Sequence, residues 1–118
     1  MAIFGERKYL RVPIAAGQSL SDAVDLGPFA LVAIETDANW TMAAISFQWS
    51  SDGTTWVDPV NVAGVPVETA SVAASKAVLL DPADFASFRW LKVRSGTASS
   101  PVAQSSDTTL TLVICSVV

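Results

Sequence analysis

Two pairs of carboxylates stand close enough in sequence to be read as acid–base machinery: Glu35 with Asp37, and Asp52 with Asp58. Paired carboxylates cleave glycosidic bonds when a cleft holds them at a fixed separation. Here Asp52 is better read as a turn residue, and Glu35 and Asp37 as the end of a strand. The chain contains no histidine, which removes imidazole acid–base chemistry and imidazole metal ligation. Serines are frequent, but no base is available to activate one. "GTASS" at Gly96–Ser100 opens no helix, so no phosphate-binding loop is expected. Cys115 is the single cysteine, which excludes an internal disulfide and leaves a zinc site short of ligands. No Asp-x-Asp-x-Asp-Gly run marks a calcium loop. The expectation is a protein with no catalytic residues, no cofactor and no metal.

The second candidate is "FQWSSDGTTWVDP", Phe47–Pro59. Its Ser-Asp-Gly-Thr-Thr-Trp core approaches the Asp-box hairpin of sugar-processing propellers. Asp52 and Gly53 are adjacent where that pattern needs an intervening residue. A single copy, in a chain too short for a propeller, argues further against it. Asp-Gly between alternating segments is instead a hairpin signal, with Trp49 and Trp56 placed to pair across it. Of the four tryptophans, Trp49 and Trp90 lie in strand-like segments and are expected in the core. Trp40 sits in the loop-like "TDANWT" and is the best candidate for an exposed, ligand-stacking aromatic. On that reading the alternative to a structural protein is a carbohydrate-binding β-sandwich module.

Charge is segregated. Arg7, Lys8 and Arg11 cluster near the start beside Glu6, whereas residues 12–75 hold seven acids and no Lys or Arg. A basic arm on an acidic body makes a poor phosphate footprint, so nucleic acid is not an expected partner. The arm suits docking on an acidic neighbour. Hydrophobic residues make up 51% and charged residues 15% of 118, against about 25% charged in ordinary domains. Mean hydropathy is +0.44. Such an excess in a small domain favours an assembly subunit. No run reaches membrane-spanning length: "LTLVICSVV" is about half of what a helix needs. Glu6, Arg7 and Lys8 fall where a secretory signal would be apolar, so export by that route is not expected. Ile3 and Phe4 at one end and "VICSVV" at the other are apolar, which implies that both ends are tied down, within the sheet or against a neighbour. Ile3, Phe4, Arg7, Lys8 and Arg11 are therefore the candidate docking residues.

Period-two alternation recurs along the chain and helical periodicity does not. "KYLRVPI" puts Lys8, Leu10, Val12 and Ile14 on one face, with Pro13 marking an edge strand. "FALVAIE" reads as a strand covered on both faces, and "AAISFQWS" as a half-buried one. "TWVDPVNV", "AGVPVE", "KAVLL", "RWLKVRS" and "TTLTLVICSV" continue the pattern. "DPADFASF" is the one helical signal, with Asp81 as cap and Pro82 at the first position. About eight short strands and one short helix predict a single all-β sandwich of jelly-roll or immunoglobulin-like type. Residues 1–12 form an N-terminal arm or first strand, and residues 13–118 the sandwich.

"WTMAAISFQWSSDGTTWVDPVN" and "VLLDPADFASFRWLKVRSGTASSPVAQSSDTTLTLV" together cover about half the chain. In them, W-T-x-A-A-I-x-F-Q, then D-P-x-x-F leading into R-W-L-K-V-R-S-G-T, then P-V-x-Q before a final strand, resemble small virion proteins of tailed bacteriophages. The resemblance implies a structural part of the particle assembled in the host cytoplasm: a capsid decoration or cement protein, or a tail, connector or head-fibre component. It implies the major capsid protein or other virion proteins as partners. It also implies self-association as a homo-oligomer, a trimer being the expectation because cement proteins commonly occupy threefold positions. Neither nucleic acid nor a membrane is among the partners expected.

Overall fold

The structure is a computed structural model that describes residues 4–117. Its strands are β1 (Phe4–Ile14), β2 (Val24–Asp25), β3 (Phe29–Glu35), β4 (Ile45–Ser50), β5 (Ala77–Leu79), β6 (Trp90–Ser95) and β7 (Thr108–Val117), with a 3-10 helix at Pro82–Phe85. They form a four-stranded sheet, ordered β1-β7-β3-β5, and a three-stranded sheet, ordered β2-β6-β4. Every pairing is antiparallel. The chain is the single β-sandwich that its alternation predicts.

The alternation explains which faces meet. In β1, Leu10, Val12 and Ile14 turn inward, and Val12 and Ile14 are buried. Leu110, Leu112 and Ile114 do the same from β7, and Ile45, Phe47, Leu91 and Val93 answer from the smaller sheet. Pro13 is accommodated because β1 is an edge and pairs on one side only. "FALVAIE" owes its near-continuous apolar run to a β-bulge as well as to burial. The register with β7 slips between Leu31 and Ala33. Leu31 and Ile34, three apart, therefore both reach the core, while Ala33 and Glu35 face outward.

The segments at 55–62 and 63–68 do not become strands. They make only the isolated bridges Trp49–Val57, Val60–Pro66 and Ser46–Glu68. Pro59 and Pro66 each remove a ladder donor, and Asn61 turns the chain by accepting from the amides of Ala63 and Val65 at 2.9 and 3.0 Å. The two-residue β2 has no counterpart in the alternation; Val24 and Asp25 are too short to show one.

The helical signal is a 3-10 turn with the expected cap: Asp81 accepts from the Ala83 amide at 3.1 Å. Phe85 closes the 3-10 helix, and Phe88, three residues further on, donates its amide to the Phe85 carbonyl at 3.1 Å; both rings are buried, with centres 5.0 Å apart. Phe85 stands edge-on to Phe47, with ring centres 5.0 Å apart. The first and last strands are stitched to each other. β1 pairs with β7 from Phe4–Val117 to Ile14–Thr108, with one irregularity between Phe4 and Arg7. The first strand is thus a member of the larger sheet and not a free arm.

Candidate interaction surface

The carboxylates singled out as possible acid–base pairs are committed to holding loops. Burial alone would raise the pKa of Asp37. Hydrogen bonds from the Thr108 hydroxyl and the amides of Thr109, Asn39 and Trp40 more than offset this and hold it below the ordinary value. Asp37 thereby ties the loop after β3 to the start of β7. Asp52 accepts from the amides of Thr55 and Thr54, each at 2.8 Å, and from the Ser50 hydroxyl at 3.0 Å. These bonds hold its carboxylate well below the usual range. It is the turn residue that the sequence implies. The turn is wider than a two-residue hairpin: Trp49 and Val57 exchange both backbone bonds, at 2.8 and 2.9 Å. The intervening residues loop out with Gly53 at φ 82°. Glu35 lies exposed on the outer face of the larger sheet.

The tryptophans are placed differently from expectation. Trp40 is not an exposed ring. It is 4% exposed and its indole nitrogen donates to the Val72 carbonyl at 2.9 Å. The loop that looked polar folds its one large apolar side chain under the 70–75 segment, because a buried Trp with a satisfied N–H stabilises more than an exposed one. Trp49 is half-buried against the core, whereas Trp90, expected there too, is half-buried on the opposite face of β6 from Leu91 and Val93, beside Gly53. Trp49 opposes Val57, not Trp56. The Trp56 ring lies under the Lys92 ammonium at 4.7 Å.

The loop from Val57 to Glu68 carries a concentrated apolar surface. Val57, Val60, Val62 and Val65 are all at least half exposed, Val62 completely. It is held at its base by Arg94, whose guanidinium is buried. Arg94 reaches Asp58 Oδ1 from both terminal nitrogens at 3.1 Å, the Ser46 hydroxyl at 2.9 Å and the Phe47 carbonyl at 3.2 Å. The sequence placed Asp58 among the catalytic candidates and gave no role to Arg94. The signal in the sequence was weak, because Arg94 shares its face of β6 with a second cation, Lys92. Between loop and 3-10 helix runs a groove of about 460 Å³, floored by Phe47, Val67 and Phe85 and rimmed by Glu68, Asp81 and Asp84. A second groove, of about 540 Å³, lies between Val60, Val62 and Trp49 and the helix residues Ala83 and Asp84 with Phe88.

The candidate docking residues fall on the larger sheet. Ile3 lies outside the described residues, and Phe4 opens β1. Arg7 and Arg11 are exposed on the outer face with Tyr9 between them. Lys8 points the other way, with its ammonium 4.7 Å from the centre of the Phe29 ring and 3.8 Å from Glu6. The three cations therefore do not form one patch. The registers align a row across all four strands, Tyr9–Val113–Ala33–Leu79, and a second row, Arg11–Thr111–Glu35–Ala77, beside it. Tyr9 is 63% and Leu79 83% exposed.

Among the described residues no three His, Cys, Asp or Glu side chains converge as a metal site would require. No helix among them is long and apolar enough to cross a membrane. Comparison with protein-family models, curated proteins and solved structures finds no match to this chain.

Proposed function

We propose that this chain is a non-enzymatic structural protein of a tailed-bacteriophage virion that decorates the head and cements it. The observation that carries the reading is the valine-bearing loop at 57–68, exposed yet anchored through Asp58 to a buried guanidinium. An apolar loop on a rigid base is arranged for burial against a partner at small entropic cost. Glu68, Asp81 and Asp84 rim it, so the complementary surface is an apolar recess with a basic border, on the major capsid protein or another virion protein. The two stretches that resemble small phage virion proteins include the Trp49–Val60 part of this region and the 3-10 helix beside it. The carbohydrate-binding alternative loses its best ring with the burial of Trp40.

The test is mass spectrometry of purified particles, with the copy number referred to the shell protein. Head decoration predicts a copy number proportional to the shell protein. A few copies per particle would instead assign the chain to the tail, connector or head fibre. Val62→Asp with Val65→Asp should abolish incorporation while leaving the circular dichroism unchanged. Absence of the wild-type chain from purified particles overturns the reading.

A further inference from the structure

We infer that the outer face of the four-stranded sheet is a self-complementary surface that receives a second copy of this chain, the two packed face to face about a twofold axis parallel to the strands. The inference is independent of the virion reading, since it concerns the isolated chain.

It starts from a row that no intrachain packing explains. A solvated sheet face alternates polar residues against the buried face beneath. Here Tyr9, Val113, Ala33 and Leu79 stand in register across β1, β7, β3 and β5, with the two end residues largely exposed. The next row places Arg11 on β1 and Glu35 on β3, two strands away. Among the described residues the ion pairs are Lys8–Glu6, Arg89–Asp25 and Arg94–Asp58, so Arg11 and Glu35 do not pair within the chain.

The charges choose among ways of covering this face. Packed sheets lie about 10 Å apart. A twofold axis along the strands sets β1 over the partner's β5 and β7 over the partner's β3, and it keeps the rows in step. Tyr9 then meets the partner's Leu79, and Val113 the partner's Ala33, large against small. Arg11 comes within one strand spacing, about 4.8 Å laterally, of the partner's Glu35, and symmetry forms the contact twice, as an isologous interface must. A twofold axis across the strands, passing through the Tyr9 row, sets each strand over itself and brings Arg11 over the partner's Arg7. That arrangement sets like charges against each other.

The area sets the strength. The four strands are 11, 10, 7 and 3 residues long. At about 3.4 Å per residue and 4.8 Å per strand they offer a face of roughly 500 Å². Two such faces bury roughly 1,000 Å² in total, the lower bound of a specific interface. The pair is therefore a weak one, with a dissociation constant on the order of 10 μM in moderate salt. It is twofold, in contrast to the trimer that the phage resemblance implies.

Sedimentation of the purified chain from about 1 to 500 μM, a range that brackets the expected constant, tests it. Wild type should pass from monomer to dimer. Leu79→Glu should weaken association by on the order of 100-fold, because symmetry sets the new charge against the partner's Tyr9 twice. Arg11→Glu alone and Glu35→Arg alone should each weaken it roughly tenfold, because each puts like charges together twice. An equimolar mixture of these last two variants should associate with wild-type strength, since the mixed pair contains both complementary contacts. A folding defect or an intrachain effect would not be rescued by mixing. A monomer throughout the range, a trimer, a dimer indifferent to Leu79→Glu, or failure of the mixture to recover overturns the inference.

Discussion

Replacing Asp58 with Ala strands a buried cation, and the cost follows from how deeply each partner sits. The Arg94 side chain is 9% exposed and that of Asp58 54%. Removing one partner of a fully buried pair costs about 3–5 kcal/mol, whereas a surface pair is worth at most about 1 kcal/mol. Arg94 keeps the Ser46 hydroxyl and the Phe47 carbonyl, and water can enter where the half-exposed carboxylate stood. The expected loss is about 2 kcal/mol, or about 8 °C in Tm for a chain of this size. Arg94→Met behaves differently. It removes the buried charge and leaves Asp58 free to hydrate, so about 1 kcal/mol is lost. The double variant should resemble Arg94→Met alone, which makes the pair non-additive by about 2 kcal/mol. Urea unfolding followed by tryptophan fluorescence measures all three. Additive losses, or an Asp58→Ala protein within about 0.3 kcal/mol of wild type, would refute the view that the carboxylate neutralises Arg94. The same variant should open the 57–68 loop to limited proteolysis, because Asp58 is the loop's ionic attachment to β6.

Two further outcomes follow from the loops. Gly96 has φ 90°, and a Cβ there would lie 2.5 Å from the Ser100 carbonyl oxygen and 2.6 Å from the Val102 nitrogen. Gly96→Ala should therefore cost roughly 3 kcal/mol or more, read as a large drop in the urea midpoint, whereas Gly17→Ala, with open space around it, should cost about 1 kcal/mol. Asp37 has its pKa lowered from the ordinary 3.8. A group whose folded pKa is depressed contributes stability that is present above its unfolded pKa and lost as pH falls through the folded one. Asp37→Asn should accordingly be less stable than wild type at neutral pH, with the gap closing below about pH 4, as thermal melts across pH 7 to 2 would show.

The parts of the fold that were legible are those governed by local rules. Leu10, Val12 and Ile14 alternate because β1 has one buried face, and Pro13 marked its edge. Asp81-Pro82 announced a capped turn, because both residues act within a few positions of themselves. Asp52 and Gly53 announced a turn for the same reason. What could not be read was set by partners distant in sequence. Trp40 looks exposed until Val72 supplies a carbonyl for its indole, and Asp58 looks like a free acid until Arg94, 36 positions on, takes it up. The bulge in β3 was hidden because Val32 is as apolar as its neighbours, so the slip leaves no trace in the pattern. The polar terminus that fraying would favour was absent for a reason the sequence left open, and the β1–β7 ladder supplies it.

The segregation of charge acquires a physical meaning once the sheets are in place. Arg7 and Arg11 sit on the outer face of the larger sheet, where Glu35 is two strands from Arg11, so that face holds both signs and can satisfy itself in a copy. The charged residues that line the groove beside the valine loop, Glu68, Asp81 and Asp84, are all acids. Such a rim repels its own image and admits a basic partner. Self-association through the loop is thereby disfavoured at low salt, and association of the loop with a different protein is favoured. Added salt should weaken loop docking on a basic border and should at the same time reduce the repulsion that keeps two loops apart. On the two proposals made above, the apolar excess is divided between two surfaces whose charges suit different partners.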